Sequence, residues 1–544
     1  MCGISIFLSY FNKASITDEY KSTALSARGP DDYKSFRDNN IFYNILMNFY
    51  RLAINGVADG AQPMTYKNYV LVCNGEIYNH KYLEELIKYE PTTGSDCEII
   101  LPLFEKLGIE QTCVLLDGVF AFCIWDTDAK ELYIGRDRFG VRPLFIGHQN
   151  YVTQIASEMK GMTLTPELIV KQFPPGHYGR VNNTYFTEVD VKPYYLYNWN
   201  TNSSLKNNYN QILITINYYL REAVKKRMMS ERPIGCLLSG GLDSSLIASL
   251  VNKSLPNNQT LRTYSIGFKD SPDLQYARAV AFHLKSEHYE CVVTPQDFLD
   301  AIDEVTKVTE TYDITTIRAS VGNYLVCKKI KSLNSTQPPE KQSVVIFNGD
   351  GADEVAGGYL YHRKAPSAIE FHNESVRLLK EIHLFDVLRS DRCCSDNGLE
   401  PRTPFLDRDF VNFYMSIPPE IRFNNDKQEK YLLREAFAKS QLLPEEILLR
   451  KKEAFSDGVS VQEKSWWQII QEYLEDKVTL PTDTSNLPFP AIGLTKEAYY
   501  YYTKFNEFYN NKSNVIPHYW MPKWSGDVTN PSARVLTEYS NESV

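Results

Sequence analysis

Leu237-Leu238-Ser239-Gly240-Gly241-Leu242-Asp243-Ser244-Ser245 is the stretch that decides the fold of the larger half of this chain. An apolar run ends at Leu238 and an apolar-periodic segment begins at Leu246, so the stretch reads as strand, tight glycine turn, helix. Gly240 and Gly241 admit positive φ and let a ligand approach the backbone closely. Ser244 and Ser245 are candidate helix caps. Free N–H groups at a helix start, with the positive end of its dipole, make an anion site. The spacing matches neither G-x-x-x-x-G-K-[ST] nor G-x-G-x-x-G, so the two commonest nucleotide loops are excluded.

Around this turn the pattern alternates between strand and helix. Strands are expected over 234–238, 262–268, 288–293 and 343–347, and helices over 245–252, 275–284, 296–308 and 318–331. Repeated β-α-β units imply a doubly wound parallel sheet with ligands at the carboxyl ends of its strands. A helix over 211–229 precedes the sheet, and the polar stretch 196–210 reads as a linker. The expected organisation is one domain over 1–195, the linker, and a second domain over 211–544.

The bulk properties fit that division. A chain of 544 residues predicts two to four domains, and 43% hydrophobic with 23% charged residues is ordinary for a globular protein. A net charge of −9 argues against a general nucleic-acid surface. Ten scattered cysteines with no C-x-x-C pair suit a reducing compartment, hence a cytoplasmic location. The nine histidines show no zinc spacing. The apolar run 4–8 lacks a basic region before it and is too short for a signal peptide, and no apolar run reaches the ~18 residues of a membrane span.

Upstream of the linker, Cys2 directly precedes a strand-like run. Removal of Met1 would expose an α-amine with a pKa near ~7.7–8.0, able to act as base for its own thiol. A buried structural cysteine is the competing reading. Arg28-Gly29-Pro30-Asp31 forms a charged turn, Arg51 lies in an apolar strand, and residues 70–78 run into Asn74-Gly75-Glu76. Asn74-Gly75 is also a favoured hairpin turn, and Ser95-Asp96-Cys97-Glu98 fits a capping box opening a helix that runs to Gly108. Residues 125–143 read as hairpins around the turn from Gly135 to Gly140.

Downstream of the sheet's second half, Asn348-Gly349-Asp350-Gly351-Ala352-Asp353-Glu354 puts carboxylates at a strand end. Such a cluster suits Mg²⁺ bound with phosphates, or an acidic turn. Asp313-Ile314-Thr315-Thr316-Ile317-Arg318 sets two hydroxyls and a cation at a helix start. The segments from Gly398 to Asp407 and from Arg450 to Gly458 add charge around apolar residues.

Taken together, the ordered set over about 1–190 resembles class II glutamine amidotransferase domains, and Ser239 to Ser244 resembles the SGGxDS pyrophosphate loop of ATP pyrophosphatases. With the later segments and the tail His518-Tyr519-Trp520-Met521-Pro522-Lys523-Trp524 and Pro531-Ser532-Ala533-Arg534, nearly the whole chain resembles the eukaryotic type of glutamine-hydrolysing asparagine synthetase. The resemblance implies an N-terminal αββα sandwich of the N-terminal nucleophile type, followed by a doubly wound parallel sheet with added helices. It implies that Cys2 attacks glutamine and that Asn74 and Gly75 form the oxyanion hole. Arg51 would take the glutamine carboxylate and Asp96 its amine, with Leu52, Ala53, Ile54, Asn55 and Glu76 completing that site. It implies ATP contacts at Leu238, Ser239, Gly240, Gly241, Asp243, Ser244, Ile266, Asn348 and Gly349. Asp243 and Asp353 would hold Mg²⁺, Asp350 would help form a β-aspartyl-adenylate, and Lys452 would steady departing pyrophosphate. Arg318, Asp386 and Arg389 would handle aspartate. Glutamine, aspartate and ATP are the partners implied, with no nucleic acid or membrane, and a homodimer is admitted.

A β-lactam synthetase is the nearest alternative, and Cys2, Arg51, Asn74 and Asp96 argue against it, because those enzymes lack glutaminase function. Two local departures stand out. Asn348-Gly349-Asp350 replaces the family's usual Ser-Gly-Glu, and Pro401 and Thr403 replace Ala and Val in a segment read here as a loop.

Overall fold

The computed structural model describes residues 1–10, 23–181, 189–423, 426–452, 458–460, 464–484, 487–488, 494–526 and 531. Residues 453–457 of the Arg450 segment and Ser532, Ala533 and Arg534 of the tail lie outside them.

The first half carries β1 (Gly3–Tyr10), β2 (Asp32–Asn39), β3 (Tyr43–Arg51), β4 (Met64–Tyr66), β5 (Tyr69–Ile77), β6 (Gly118–Asp126), β7 (Glu131–Arg136), β8 (Phe145–Gln149), β9 (Val152–Ala156), β10 (Ile169–Gln172), β11 (His177–Val181) and β12 (Asp190–Pro193). They form two antiparallel sheets, ordered β10-β8-β9-β1-β3-β2 and β12-β11-β7-β6-β5-β4. Alternating side chains such as Ile4, Ile6, Ile45, Met47, Val70, Val72, Ala121 and Cys123 meet between the sheets in one buried cluster. The helices His80–Ile87 and Ile100–Leu115 cover the outer face of the second sheet through Leu83, Leu103 and Phe104. Part of the first sheet's outer face packs on the second half, where Phe145, Ala156 and Val170 share a core with Ile317 and Val321.

Three local expectations are corrected here. Asn74 and Gly75 do not turn: they sit inside β5, opposite Ala121 and Phe120. Nine residues of continuous ladder outweigh the turn preference of one dipeptide. No capping box forms at Ser95, because the Glu98 carboxylate accepts from Tyr89, Thr92 and Thr93 instead. The helix passes Gly108 with a kink, its φ of 74° and ψ of 174° breaking the regular run.

The second half holds β13 (Ile234–Leu237), β14 (Arg262–Phe268), β15 (Glu287–Val293), β16 (Val345–Phe347) and β17 (Glu400–Arg402) in one all-parallel sheet, ordered β15-β14-β13-β16-β17. The order reverses direction between β13 and β16, so the loops leaving these neighbours diverge and open a crevice at their carboxyl ends. The Pro401 segment is not a loop but this sheet's edge strand, where proline's missing N–H is tolerated. Helices follow the expected places at Leu242–Ser254, Pro272–Leu284 and Ile314–Asn334, whereas the single helix expected over 296–308 is two, Pro295–Asp300 and Ile302–Thr309. The helix Tyr209–Lys226 starts inside the polar stretch after residue 195, and Tyr197 and Trp199 bind that stretch back to Arg138 and Asn412. Among the described residues no helix is long and apolar enough to cross a membrane.

Candidate active sites

The turn after β13 is built on Gly240, whose φ is +74° and where a Cβ would lie 2.5 Å from the Tyr276 Cβ. Only glycine fits both constraints. The helix cap expected from Ser244 or Ser245 is absent: Gly241 holds the cap position and no side chain caps the helix. The Ser244 hydroxyl instead accepts from the Ser239 N–H at 3.2 Å, drawing the turn onto the first helical turn. The loop after β16 packs directly against it, since a Cβ on Gly349 would lie 2.9 Å from both the Asp243 Cβ and the Ser244 nitrogen. Between them lies a cavity of about 300 Å³ lined by Ser239, Gly241, Asp243, Ser244, Asn348, Gly349, Asp350 and Asp353. Arg318, Asp386, Arg389 and Lys452 line it too. Leu238 and Ile266 bury their side chains in the sheet's cores instead, and Gly240 supports the turn from behind.

Charge is arranged in three groups around this cavity. In the first, Lys430 Nζ lies 2.5 Å from both Asp243 Oδ2 and Asp353 Oδ1, while Lys452 Nζ lies 2.7 Å from Asp353 Oδ2. Burial opposes ionisation of Asp353, but the two ammonium groups outweigh it and hold the carboxyl well below the usual carboxylate range. Lys430 reaches this place from a left-handed backbone conformation, φ 55°. In the second, Asp350 accepts from Arg389 Nη2 at 2.9 Å and from Asn348 Nδ2 at 2.8 Å, and Arg389 also pairs with Asp386 at 2.6 Å. Burial raises the Asp350 carboxyl pKa, opposed by Arg389. Tyr359 donates to Glu354 at 2.6 Å and Asp386 at 3.0 Å, and burial, then Asp386, raise the Glu354 carboxyl well above its usual range. In the third, Asp313 caps the helix Ile314–Asn334 through the Thr316 N–H, and Arg318 on that helix forms a buried two-pronged pair with Glu497.

Among the described residues no cluster of three or more His, Cys, Asp or Glu side chains could hold a metal ion. The pair Asp243 and Asp353 nevertheless fits Mg²⁺ carried in with phosphate oxygens, which complete its shell in such sites. Among the described residues the buried Asp243 Oδ1 has no hydrogen-bond partner, and an ammonium group already supplies positive charge between the two carboxylates.

The first half forms a second site. Met1 precedes Cys2 and is buried, and burial pushes the Cys2 thiol up to about 11 and the Met1 amine down to about 6, Glu400 opposing the latter. Cys2 Sγ points at the Leu52 carbonyl, 3.7 Å away. Arg51 is held by the carbonyls of Gly56 and Val57 at 2.5 and 3.2 Å. The Ala53 N–H is anchored by Asp31, with Leu52 and Ile54 buried on either side. Asn55 Nδ2 reaches Glu76 at 2.5 Å and Asp96 at 3.3 Å, and Asp96 accepts from the Ile77 N–H at 2.6 Å. Among the described residues the buried Asn74 Nδ2 has no hydrogen-bond partner. Gly75 admits no side chain, because a Cβ would lie 2.5 Å from the Val119 carbonyl oxygen.

One residue joins the two sites. Arg402, on the edge strand β17, approaches Glu76 at 3.5 Å with its side chain and accepts the Asn348 N–H at 3.1 Å with its carbonyl.

Comparison with known proteins follows the same division. A model described as glutamine amidotransferase domain matches residues 1–191, and one described as asparagine synthase matches 215–369 and 365–532. Asparagine synthetase [glutamine-hydrolyzing] of Homo sapiens is 43% identical over 99% of both chains, and that of Gallus gallus 42% over 95% of both. This chain belongs to the glutamine-hydrolysing asparagine synthetase family. A glutamine phosphoribosylpyrophosphate amidotransferase from B. subtilis aligns over 49% of this chain and 75% of its own, at 14% identity and a TM-score of 0.29, too low to inform the fold.

For a member of this synthetase family, sequence reading missed the contacts of Lys430, Glu497, Tyr359 and Arg402, and took Glu354 only as one carboxylate of a cluster. Lys430 stands in the mixed charges of Asp426-Lys427-Gln428-Glu429-Lys430 and Glu497 directly after Lys496, and neither carries a motif. Tyr359 lies beside the segment read for its carboxylates, which ends at Glu354, and the Arg402 contact depends on β17 reaching the sheet.

Proposed function

We propose that this chain makes asparagine from aspartate, with ATP as the activating substrate and glutamine as the nitrogen donor. The observation that carries the reading is the single cavity gathering the glycine turn after β13 with Asp350, Arg389 and Lys452. Aspartate's β-carboxylate attacks the α-phosphorus of ATP, pyrophosphate leaves, and a β-aspartyl-adenylate forms. Ammonia then attacks the acyl carbon and AMP departs. Arg389 orients the carboxylates, Asp350 faces the acyl transfer, and Lys452 offsets phosphate charge as pyrophosphate leaves. Asp243 and Asp353 would hold Mg²⁺, which would neutralise phosphate charge.

Glutamine is hydrolysed in the first half. The Cys2 thiolate attacks the side-chain amide, ammonia leaves, and water releases glutamate from the thioester. Asn74 Nδ2, buried without a partner among the described residues, supports its role as an oxyanion donor, worth about 3–4 kcal/mol in comparable sites. Arg51 and Asp96 hold the amino-acid end. Ammonia passes internally between the sites.

Cys2→Ala tests the division of labour. Glutamine-dependent synthesis should vanish while ammonia-dependent formation of asparagine, AMP and pyrophosphate persists. Equal survival of both, or absence of AMP with ATP, aspartate and ammonia supplied, overturns the reading.

A further inference from the structure

The cavity beside the glycine turn is walled near Asp386 by aromatic rings. Tyr359, Tyr361, Phe385 and Trp520 line it together with Asp386 and Arg389. Contacts run in series from Asp350 to this wall. Arg389 pairs with Asp350 at 2.9 Å and with Asp386 at 2.6 Å, and Asp386 accepts from the Tyr359 hydroxyl at 3.0 Å. The Trp520 ring packs on those of Tyr359 and Tyr361, with centroids 5.5 and 6.1 Å apart. Trp520 comes from the tail segment and is fixed in place. Its N–H donates to Asp313 at 2.8 Å, the residue that caps the helix bearing Arg318. Just before it, His518 Nε2 lies 3.2 Å from Glu381 Oε2, and the neighbouring Tyr361 hydroxyl donates to Glu374 at 2.8 Å. Tyr361, Phe385 and Trp520 are buried. Close-packed rings held at several points yield little to an extra methylene.

Both ends of the acceptor are constrained in the reaction proposed above. Asp386 and Arg389 hold its amino-acid end, and the reacting carboxylate must meet the α-phosphorus over the glycine turn. A longer acceptor has to push its amino-acid end into the rings. The first half releases such a homologue at every turnover, because glutamate is aspartate with one more methylene. Activated in this cavity, its γ-carboxylate would attack the α-phosphorus and release pyrophosphate. Ammonia would then displace AMP and give glutamine. The first half would hydrolyse that glutamine again, so ATP would be cleaved with no net synthesis. We propose that Trp520 is a specificity-determining residue, whose indole closes the cavity at the length of aspartate and excludes glutamate. Discrimination of this kind comes from a clash built against the wrong substrate. The proposal rests on the reading of this cavity as the aspartate-activating site.

The test gives full-length protein ATP, ammonia and either aspartate or glutamate, and measures AMP. The unaltered chain should favour aspartate about a hundredfold in kcat/KM, the size of discrimination one methylene supports. Trp520→Leu should lower that ratio about tenfold or more by raising kcat/KM for glutamate, with ATP KM little changed. Gained activity on glutamate is a readout that loosened packing alone does not produce. Trp520→Phe keeps a smaller ring, should move the ratio about threefold the same way, and carries the test if Trp520→Leu does not fold. A ratio near one in the unaltered chain, or an unchanged ratio in the folded variants, overturns the proposal. A ratio that falls only because aspartate activity is lost overturns it too, making the ring a structural support. So does a rise in ATP KM alone, which puts the ring on the nucleotide. Absence of AMP with aspartate in the unaltered chain points instead to a wrong reading of the cavity.

Discussion

Arg318 and Glu497 form a two-pronged ion pair, Nε to Oε1 at 2.8 Å and Nη2 to Oε2 at 2.5 Å, with both side chains buried. The guanidinium face that would meet aspartate is therefore supplied with a carboxylate by the chain itself. Removing one member of a buried pair leaves an uncompensated charge and costs about 3–5 kcal/mol. Glu497→Gln should lower thermal stability, and aspartate should restore part of it by offering Arg318 a replacement carboxylate. A larger aspartate-induced rise in melting temperature than in the unaltered protein is the expected result of a thermal scan. An equal rise means Arg318 does not meet the substrate.

Lys430 makes a different kind of prediction, one about acid. Asp353 has its folded pKa depressed, so its contribution to stability is present above its unfolded value, ~3.9, and is lost as pH falls through the folded one. Lys430→Met removes one of its two ammonium partners, and burial then raises the folded value. Urea midpoints should be lower in the variant near pH 6 and should fall less between about pH 5 and pH 3 than in the unaltered chain, because less pH-linked stability remains to be lost. Parallel curves would mean that Lys430 does not hold this carboxylate.

Much of this was legible beforehand and some was not, for physical reasons. The turn after β13 could be read because glycine spacing and apolar runs are local, and the parallel sheet followed from alternation. Asn74-Gly75 misled because a dipeptide's turn preference is weaker than a nine-residue ladder, and that pairing is made with Ala121 and Phe120, far along the chain. The Lys430 and Glu497 contacts span 187 and 179 residues of sequence. No local pattern encodes a partner so distant, and a lysine or glutamate among mixed charges reads as solvated surface.

Gly240→Ala should separate the two half-reactions. A φ of +74° costs alanine about 1–2 kcal/mol, and its Cβ would lie 2.5 Å from the Tyr276 Cβ and 2.6 Å from the Ala277 nitrogen. Neither obstacle is the end of a flexible side chain, so the turn must move. Ammonia-dependent synthesis should drop about a hundredfold or more, an estimate from the steep dependence of rate on site geometry. Glutamine hydrolysis without aspartate and ATP should persist. Retained synthesis would show that the turn does not hold ATP.

With Met1 in place the Cys2 thiol, pushed up to about 11 mainly by burial, is ionised in about one molecule in ten thousand at neutral pH. Alkylation of Cys2, followed by peptide mass spectrometry, should be slow in chains that keep Met1 and should climb about tenfold per pH unit below pH 11. Chains that lose Met1 should react faster at neutral pH and carry the glutaminase activity. Full activity in chains retaining Met1 would sink the free amine as base.

Asn348 and Asp350 depart together from the usual Ser-Gly-Glu, and their side chains touch. Asn348 Nδ2 donates to Asp350 Oδ2 at 2.8 Å and to the Ser390 Oγ at 2.6 Å, while Arg389 takes Asp350 Oδ1 at 2.9 Å. Asp350 is one methylene shorter than glutamate, and Asn348 supplies the hydrogen bond that aims the shorter arm. From these contacts the two changes are expected to compensate each other. Asn348→Ser alone leaves Asp350 held only from the Arg389 side, and Asp350→Glu alone pushes a longer carboxylate against the Asn348 amide. Each single variant should lose ammonia-dependent synthesis about tenfold, whereas the double variant should recover most of it. The coupling between the sites should come to about 2–3 kcal/mol in the cycle of kcat/KM values. Additive losses would mean that the two substitutions arose independently of one another's geometry, and that Asp350 is aimed by Arg389 alone.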